Sequence, residues 1–253
     1  MLILPNCPRL IAPTARVHGA SRHWRKWPDP PAPALELGLV EQYNNAYSSY
    51  NTWSSIVLPL TDVKSGDVLI AELSIDSDLP GQWSMGTYDT GWVLKGWRSN
   101  QYGGGATLMK VCDGTETSPT SMGFTGSGTT QSWAYHVYRV EGADPSTTPH
   151  AFGQNYYGSN STWFGTPSLT STVSGCLWLS HVMAAYPNGT FTVPAPWTEE
   201  YDSTTGGGTG NWHSHSGASY LKPGIGADRP IHTCSISVKR GYLSLIVLKP
   251  AGT

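Results

Sequence analysis

The stretch SGDVLIAELSID, residues 65–76, predicts a β-strand that begins directly after a Ser-Gly turn. Apolar side chains recur at every second position, which places them on one face of an extended chain. These apolar residues are Leu69, Ala71, Leu73 and Ile75. Glu72 and Ser74 fall on the opposite face, so we expect a strand with one apolar side and one polar side.

A second stretch, SGCLWLSHVMAA at residues 174–185, has the same Ser-Gly opening and a similar apolar run. Further pairs follow in the same order and at offsets between 105 and 112 residues. They are GW (91–92) with PW (196–197), GGGATLMKV (103–111) with HSGASYLKP (215–223), DGTETSP (113–119) with IGADRPI (225–231), and AYHVYRVEGA (134–143) with YLSLIVLKPAG (242–252). We interpret the series as two pseudo-repeated halves, about 60–143 and 174–252.

The composition favours an all-β fold for residues 38–253. Charged residues make up only 13% of the chain, while Gly numbers 29, Tyr 13 and Trp 11. Such a balance is typical of short strands joined by many turns. Two halves packed together would cover sheet faces and edges that neither could cover alone. We therefore predict an antiparallel, jelly-roll-like β-sandwich built from the two halves.

Charge and hydropathy exclude several classes of protein. A net charge of −2 gives no electrostatic reason to expect nucleic-acid binding. No apolar run has the length of a membrane-spanning helix, so no membrane insertion is expected. The amino terminus has no basic segment of the kind that opens a signal peptide, which predicts assembly in the cytoplasm. The cysteines lack CxxC spacing, and Cys176 and Cys234 are expected to be buried free thiols.

Residues 1–37 form a Pro-rich, basic segment with a net charge of +3, which ends in the run WPDPPAPALEL. Such a segment stays extended and has no core of its own. It is either a disordered leader or an arm that docks on a partner, and we favour the arm because aromatic residues and arginine are typical interface anchors. The predicted docking residues are Arg22, Trp24, Arg25, Lys26 and Trp27.

The stretch NWHSHSG, residues 211–217, places His213 and His215 on the same side of an extended chain. That spacing is compatible with a metal site, for which His181, Asp202 and His232 could supply the remaining ligands. The matching stretch of the first half has Tyr and Gly instead of these histidines. We therefore expect a structural role for the two histidines, with no metal and no cofactor.

Signatures of catalysis are also lacking, since the sequence has no GxSxG elbow, no Walker loop and no HExxH. Carboxylates do cluster in two places. The clusters are Glu72, Asp76 and Asp78, and Glu199, Glu200 and Asp202. A pair of them could hydrolyse glycosides, but in a chain with so little charge we expect them to keep loops and strand faces soluble. The sequence predicts a protein that is not an enzyme.

Aromatic residues fall into two groups. Trp92 and Trp197 occupy matching positions of the two halves and are expected in the core. The others lie among Gly, Ser and Asn, where they either cover the ends of the sandwich or stack on sugar rings. These possible glycan-binding residues are Trp97, Tyr102, Tyr156, Tyr157, Trp163 and Trp212.

The succession SGDVLIAELS (65–74), GWVLKG (91–96), GGATLMKVCDGTETSPTSMGF (104–124) and SWAYHVYRVEGA (132–143) resembles a module of tailed-bacteriophage virion proteins and gene-transfer-agent-like particles. The second half departs from that module, with Cys176 in place of its Asp and Ile225-Gly226 in place of its Asp-Gly. The resemblance implies a non-enzymatic β-sandwich on the virion surface, as a capsid decoration, head fibre or tail component. Such proteins often contact host glycans.

These expectations lead to one hypothesis and two rivals. The chain would be a virion structural protein that docks through residues 1–37 on capsid or tail subunits and forms a homo-oligomer, with host glycans as a candidate contact. A tail-associated receptor-binding protein is a variant of this hypothesis. The rivals are a carbohydrate-binding module outside any virion and a glycan-degrading enzyme.

Overall fold

The structure is a computed structural model that describes residues 37–47, 53–76, 83–100, 103–126, 132–146, 148–185, 189–205, 213–238 and 240–253. The predicted docking residues of the amino-terminal arm lie outside the described residues, as do Tyr102 and Trp212. Every regular element in the described ranges is a β-strand. No helix long and apolar enough to cross a membrane is found in them. The predicted all-β class is confirmed.

The strands divide into those before and those after residue 145. The first set is β1 Gly38–Tyr47, β2 Trp53–Ile56, β3 Val68–Asp76, β4 Trp83–Tyr88, β5 Val93–Asn100, β6 Gly103–Val111, β7 Thr120–Gly126 and β8 Ser132–Glu141. The second set is β9 Ala151–Tyr157, β10 Ser161–Gly165, β11 Leu169–Ser171, β12 Cys176–Ala185, β13 Phe191–Thr192, β14 Thr198–Thr205, β15 His213–Lys222, β16 Gly226–Asp228, β17 Ile231–Val238 and β18 Arg240–Leu248.

The strands before residue 145 and those after it each form a five-stranded sheet and a three-stranded sheet, and all of them pair antiparallel. These two sets of strands are called the first and the second half from here on. The first half has the orders β1-β8-β3-β6-β5 and β2-β7-β4. The second has β9-β18-β12-β15-β14 and β10-β17-β13, with β11 and β16 as a separate pair. Apart from that pair, the two halves have the same strand order. The nested pairing of first with eighth, second with seventh and third with sixth strand is jelly-roll-like. The sequence repeat itself stays a prediction.

The sheets stack in four layers. In the first half, Leu73 of β3 and Phe124 of β7 belong to one hydrophobic cluster, which fills the space between the five-stranded and the three-stranded sheet. The two five-stranded sheets then face each other through a second cluster, to which Ile70 and Leu179 belong. Phe164 of β10 and Val182 of β12 pack together under the outer sheet of the second half. Both five-stranded sheets are therefore covered on both faces.

This stacking corrects one expectation about β3. Leu69, Ala71, Leu73 and Ile75 do share a buried face, as the alternation predicts. Glu72 on the opposite face, however, is only 1% exposed, because the second five-stranded sheet covers that face. The expectation that Glu72 keeps a strand face soluble is wrong. It lies instead in the middle of the protein.

Two predictions about buried side chains are confirmed. Trp92 and Trp197 are both buried, in separate clusters of the first and second half. Cys176 and Cys234 are buried free thiols, and Cys112 is a third. Burial raises the pKa of the Cys112 thiol to about 12, so this group is a thiol at neutral pH and packs as a small apolar side chain.

Candidate functional site

The surface feature best suited to bind a ligand is the outer face of the β10-β17-β13 sheet around Trp163. Side chains alternate along β10, so Phe164 is fully buried while Trp163 is 51% exposed. Trp163 pairs with Thr233 of β17, and Thr233 pairs in turn with Thr192 of β13. Residues directly opposite each other in a sheet point to the same face. Trp163, Thr233 and Thr192 thus form one row across three strands, which we call the Trp163 row.

A shallow groove of about 320 Å³ runs along this row. It is lined by Trp163, Thr192, Val193, Pro194, Ile231 and Thr233. The lining combines one large aromatic face, two hydroxyl groups and three aliphatic side chains, and none of these six residues carries a charge. Such a lining suits a neutral ligand that has both an apolar face and hydroxyl groups.

A second feature is a buried polar cluster between the two five-stranded sheets. Thr107 Oγ1 donates to Glu72 Oε2 at 2.7 Å, and Ser244 Oγ donates to Glu72 Oε1 at 2.9 Å. The hydroxyl of Tyr242 lies 2.8 Å from Thr107 Oγ1. Burial raises the pKa of Glu72 to about 8, although its two hydrogen bonds act in the opposite direction. Glu72 is therefore a neutral acid at pH 7, held by hydroxyl groups from both halves.

Three histidines adjoin this cluster. The ring of His136 stacks on Tyr201 with 3.6 Å between ring centroids, and His181 Nδ1 lies 2.5 Å from the Tyr201 hydroxyl. Burial lowers the pKa of His136 and of His181 well below the usual range, and that of His215 to about 4. The ring nitrogens of His136 and His215 have no hydrogen-bond partner among the described residues. All three imidazoles are neutral at pH 7.

The structure brings together only some of the residues considered for a metal site. His215 and His181 lie on the same face with 6.4 Å between ring centroids, while His232 lies on the other side of the sheet, near Ser180 and Ser216. Asp202 accepts a hydrogen bond from the Phe191 amide. Across the described ranges, no three His, Cys, Asp or Glu side chains are arranged to hold a metal ion. The side chain of His213 is outside the described residues.

The carboxylates considered for glycoside hydrolysis lie in different environments. Burial, and to a lesser extent the charge of Asp202, raises the pKa of Glu199. Glu72 is buried between the sheets, whereas Glu200 bonds Ser219 and Gln42. Asp78 and the side chain of Asp76 are outside the described residues. A charged groove of about 420 Å³ does lie beside Arg139. Of its three carboxylates, Glu41 and Glu141 form ion pairs with Arg139, and the third is Asp62.

The other aromatic candidates in the described ranges lie on strands and have packing partners. Trp97 packs against the first core, with 5.5 Å between its ring centroid and that of Phe124. The hydroxyl of Tyr157 donates to the carbonyl of Gly165 at 3.2 Å, and its ring meets Phe164 edge to face. Tyr156 is half-buried on β9. Among the described candidates, Trp163 is the one whose ring is mostly open to solvent.

The sequence did not indicate Thr192, Thr233 or the buried cluster. Thr192 belongs to a two-residue strand whose partner strand lies about 40 residues further along the chain, so no local pattern shows the row. The signal for the cluster was present. Polar residues inside strands that are otherwise continuously apolar, such as Glu72 and His136, indicate a face that is buried against another polar face.

Comparison with protein-family models, with curated proteins and with solved structures found no match for this chain.

Proposed function

We propose that the chain is a non-enzymatic structural protein on the surface of a phage-like virion, as a capsid decoration or head fibre. The observation that carries the proposal is the stacking of two jelly-roll-like units through a buried interface, because jelly rolls are common in virion proteins. A tail position is the closest variant of the same function.

The amino-terminal arm is the proposed attachment. Residues 1–37 are basic and rich in proline, and the docking residues Arg22, Trp24, Arg25, Lys26 and Trp27 would bind capsid or tail subunits. Leu37 is buried in the cluster between the two sheets, so a truncation should keep it. Residues 1–33 include all five docking residues and end before the described residues begin at Leu37. Deleting residues 1–33 therefore removes the docking residues and leaves the sandwich whole.

Particle incorporation tests this proposal. Particles purified by density gradient from producing cells should contain the full chain, and deletion of residues 1–33 should abolish incorporation. The substitutions Trp24→Ala and Trp27→Ala should act in the same direction without shortening the chain, while Ile225→Ala, at an exposed position, should not. Full incorporation of all arm variants would refute the docking role. Mass photometry of the purified chain measures whether it forms the proposed homo-oligomer.

Glycan binding is the second candidate function, either as the host contact of the virion protein or in a carbohydrate-binding module outside a virion. It is favoured by the Trp163 row, where an exposed indole lies beside two threonine hydroxyls. An enzymatic role has less support. Glu72 is inaccessible, and the groove at Trp163 is lined by no carboxylate.

A further inference from the structure

The side chain of Trp163 is placed by the local backbone. The register of β10 against β17 shifts between Ser161 and Trp163, and such irregularities at sheet edges redirect a side chain. Ser161 Oγ accepts a hydrogen bond from the Trp163 amide at 2.9 Å and donates one to the Trp163 carbonyl at 2.7 Å. These two bonds fix the backbone of an edge strand at the residue that carries the exposed ring.

The row is supported from beneath. Phe164, His232 and Phe191 alternate with its members along the three strands and point inward. Phe164 and Phe191 meet edge to face at 5.9 Å, and Phe191 meets His232 at 6.3 Å. Ser180 and Ser216 hold the His232 ring through both of its nitrogens, at 2.7 and 3.2 Å. Because this layer is packed, the outer face is rigid before any ligand arrives.

The two threonines supply hydroxyl groups at the surface. The bond from Thr192 Oγ1 to the Thr233 carbonyl is 3.5 Å long, at the upper limit for a hydrogen bond, so this hydroxyl can turn toward a ligand at little cost. Val193, Pro194 and Ile231 form the aliphatic rim of the groove. A ligand would thus meet a flat aromatic face, then hydroxyl groups, along a single line.

We infer that the Trp163 row binds a neutral hexopyranose unit of a glycan. The C–H face of the sugar ring would stack on the indole of Trp163, and its hydroxyl groups would exchange hydrogen bonds with Thr233 and Thr192. The six lining residues are uncharged, which favours a neutral sugar over an acidic one. The guanidinium of Arg229 lies on this side of β10, over Gly165, but is not part of the lining. The inference deepens the proposed function, since it rests on the host-glycan contact included there.

Saturation-transfer-difference NMR on the full-length protein tests the inference. The probes are methyl glycosides of glucose, galactose and mannose, with N-acetylneuraminic acid as the acidic comparison. We expect transfer to at least one neutral glycoside, and Trp163→Ala should weaken that affinity about tenfold or more. Thr233→Val keeps the branched shape but removes one hydroxyl, so it should weaken binding about three- to tenfold.

The matched control is Ile225→Ala, which removes an exposed apolar side chain outside the groove and should leave binding unchanged. Thermal unfolding verifies that every variant is folded. The inference is overturned by the absence of transfer to all three neutral glycosides, by transfer that Trp163→Ala leaves intact, or by binding of the acidic sugar alone. Particle incorporation is a separate readout, so a negative result here is distinct from failure of the proposed virion function.

Discussion

Tyr242 of the second half lies against Gly105 of the first. A Cβ atom at position 105 would be 2.3 Å from Tyr242 Cδ1, closer than any side chain permits. Gly217 of the second half is also closely packed, because a Cβ there would be 2.0 Å from Tyr201 Cε1 of its own sheet and 2.1 Å from the hydroxyl of Tyr138 of the facing sheet. Strands β6 and β15 therefore each have a glycine where a tyrosine of the facing sheet comes close, and at Gly217 Tyr201 of the same sheet shares the space.

Gly105→Ala should destabilise the protein by about 1–3 kcal/mol, because the added methyl group forces Tyr242 out of its packed position. Chemical unfolding at pH 7 measures the loss. Gly158→Ala is the control, since a Cβ at that position meets nothing within 4 Å. Equal effects of the two substitutions would show that glycine entropy, and not the contact with Tyr242, determines the result.

Glu72→Gln should stabilise the protein increasingly as pH rises. The pKa of Glu72 is about 8 in the folded protein against an ordinary value of 4.5. Between these two pH values the folded protein keeps the proton of Glu72, whereas the unfolded chain releases it. The stability that Glu72 contributes to the wild type is therefore lost as pH rises through this range. Glutamine removes this pH dependence, and its amide oxygen can still accept a hydrogen bond from the hydroxyl of Thr107 or Ser244.

The measurement is urea unfolding of wild type and variant between pH 5 and pH 8. Their difference should grow in favour of glutamine by up to about 1.4 kcal/mol per pH unit. Asp89→Asn makes the same acid-to-amide change at a carboxyl whose pKa is lowered by hydrogen bonds from the Ser121 amide and the Thr120 hydroxyl. This carboxyl is ionised in both states above pH 5, so the substitution should give a nearly constant difference. A constant difference for Glu72→Gln as well would contradict a neutral Glu72.

His215→Leu should stabilise the protein at acid pH. Burial lowers the pKa of His215 to about 4, whereas an unfolded histidine titrates near 6.5. The unfolded chain takes up the proton first, so wild-type stability falls as pH decreases from about 6.5 to about 4. Leucine has a similar volume and leaves no buried imidazole without hydrogen bonds, so it should retain about 1–3 kcal/mol more stability near pH 4.

Thermal unfolding across pH 4–7 follows this effect. Glu72 has the opposite pH dependence in the same range, so His215→Leu is best measured beside the double variant with Glu72→Gln. His215→Leu is compared with wild type, and the double variant is compared with Glu72→Gln. If the two proteins with leucine at position 215 lose stability on acidification as steeply as the two with histidine, the imidazole is not held neutral by burial.

Arg139→Met should cost about 3–5 kcal/mol, because it leaves the carboxylate of Asp67 buried without its cation. Arg139 Nη1 lies 2.9 Å from Asp67 Oδ2, and both side chains are 3% exposed. Lys249→Met breaks the more exposed ion pair with Asp144 and should cost about 0–1 kcal/mol. Chemical unfolding at pH 7 measures the free energy of unfolding of both variants. A loss for Arg139→Met no greater than that for Lys249→Met would contradict the conclusion that Arg139 neutralises a buried carboxylate.

The sequence predicted local structure better than it predicted what covers each face. The alternation in β3 correctly grouped Leu69 with Leu73, because a period of two depends only on the extended backbone. It could not show that Glu72 faces another sheet, since the covering residue Ser244 lies 172 positions away. For the same reason, the sequence indicated only one residue of the Trp163 row. Trp163 was a candidate, whereas Thr192 and Thr233 join it only through strand pairing.

The four stacked layers also set a distance. Packed sheets are about 10 Å apart, so the outermost sheets, β2-β7-β4 and β10-β17-β13, are separated by about 30 Å. The Trp163 row lies on the outer surface of one of them. If the protein were attached through the opposite surface, the stack would act as a stiff spacer that carries its binding face about 30 Å beyond the support.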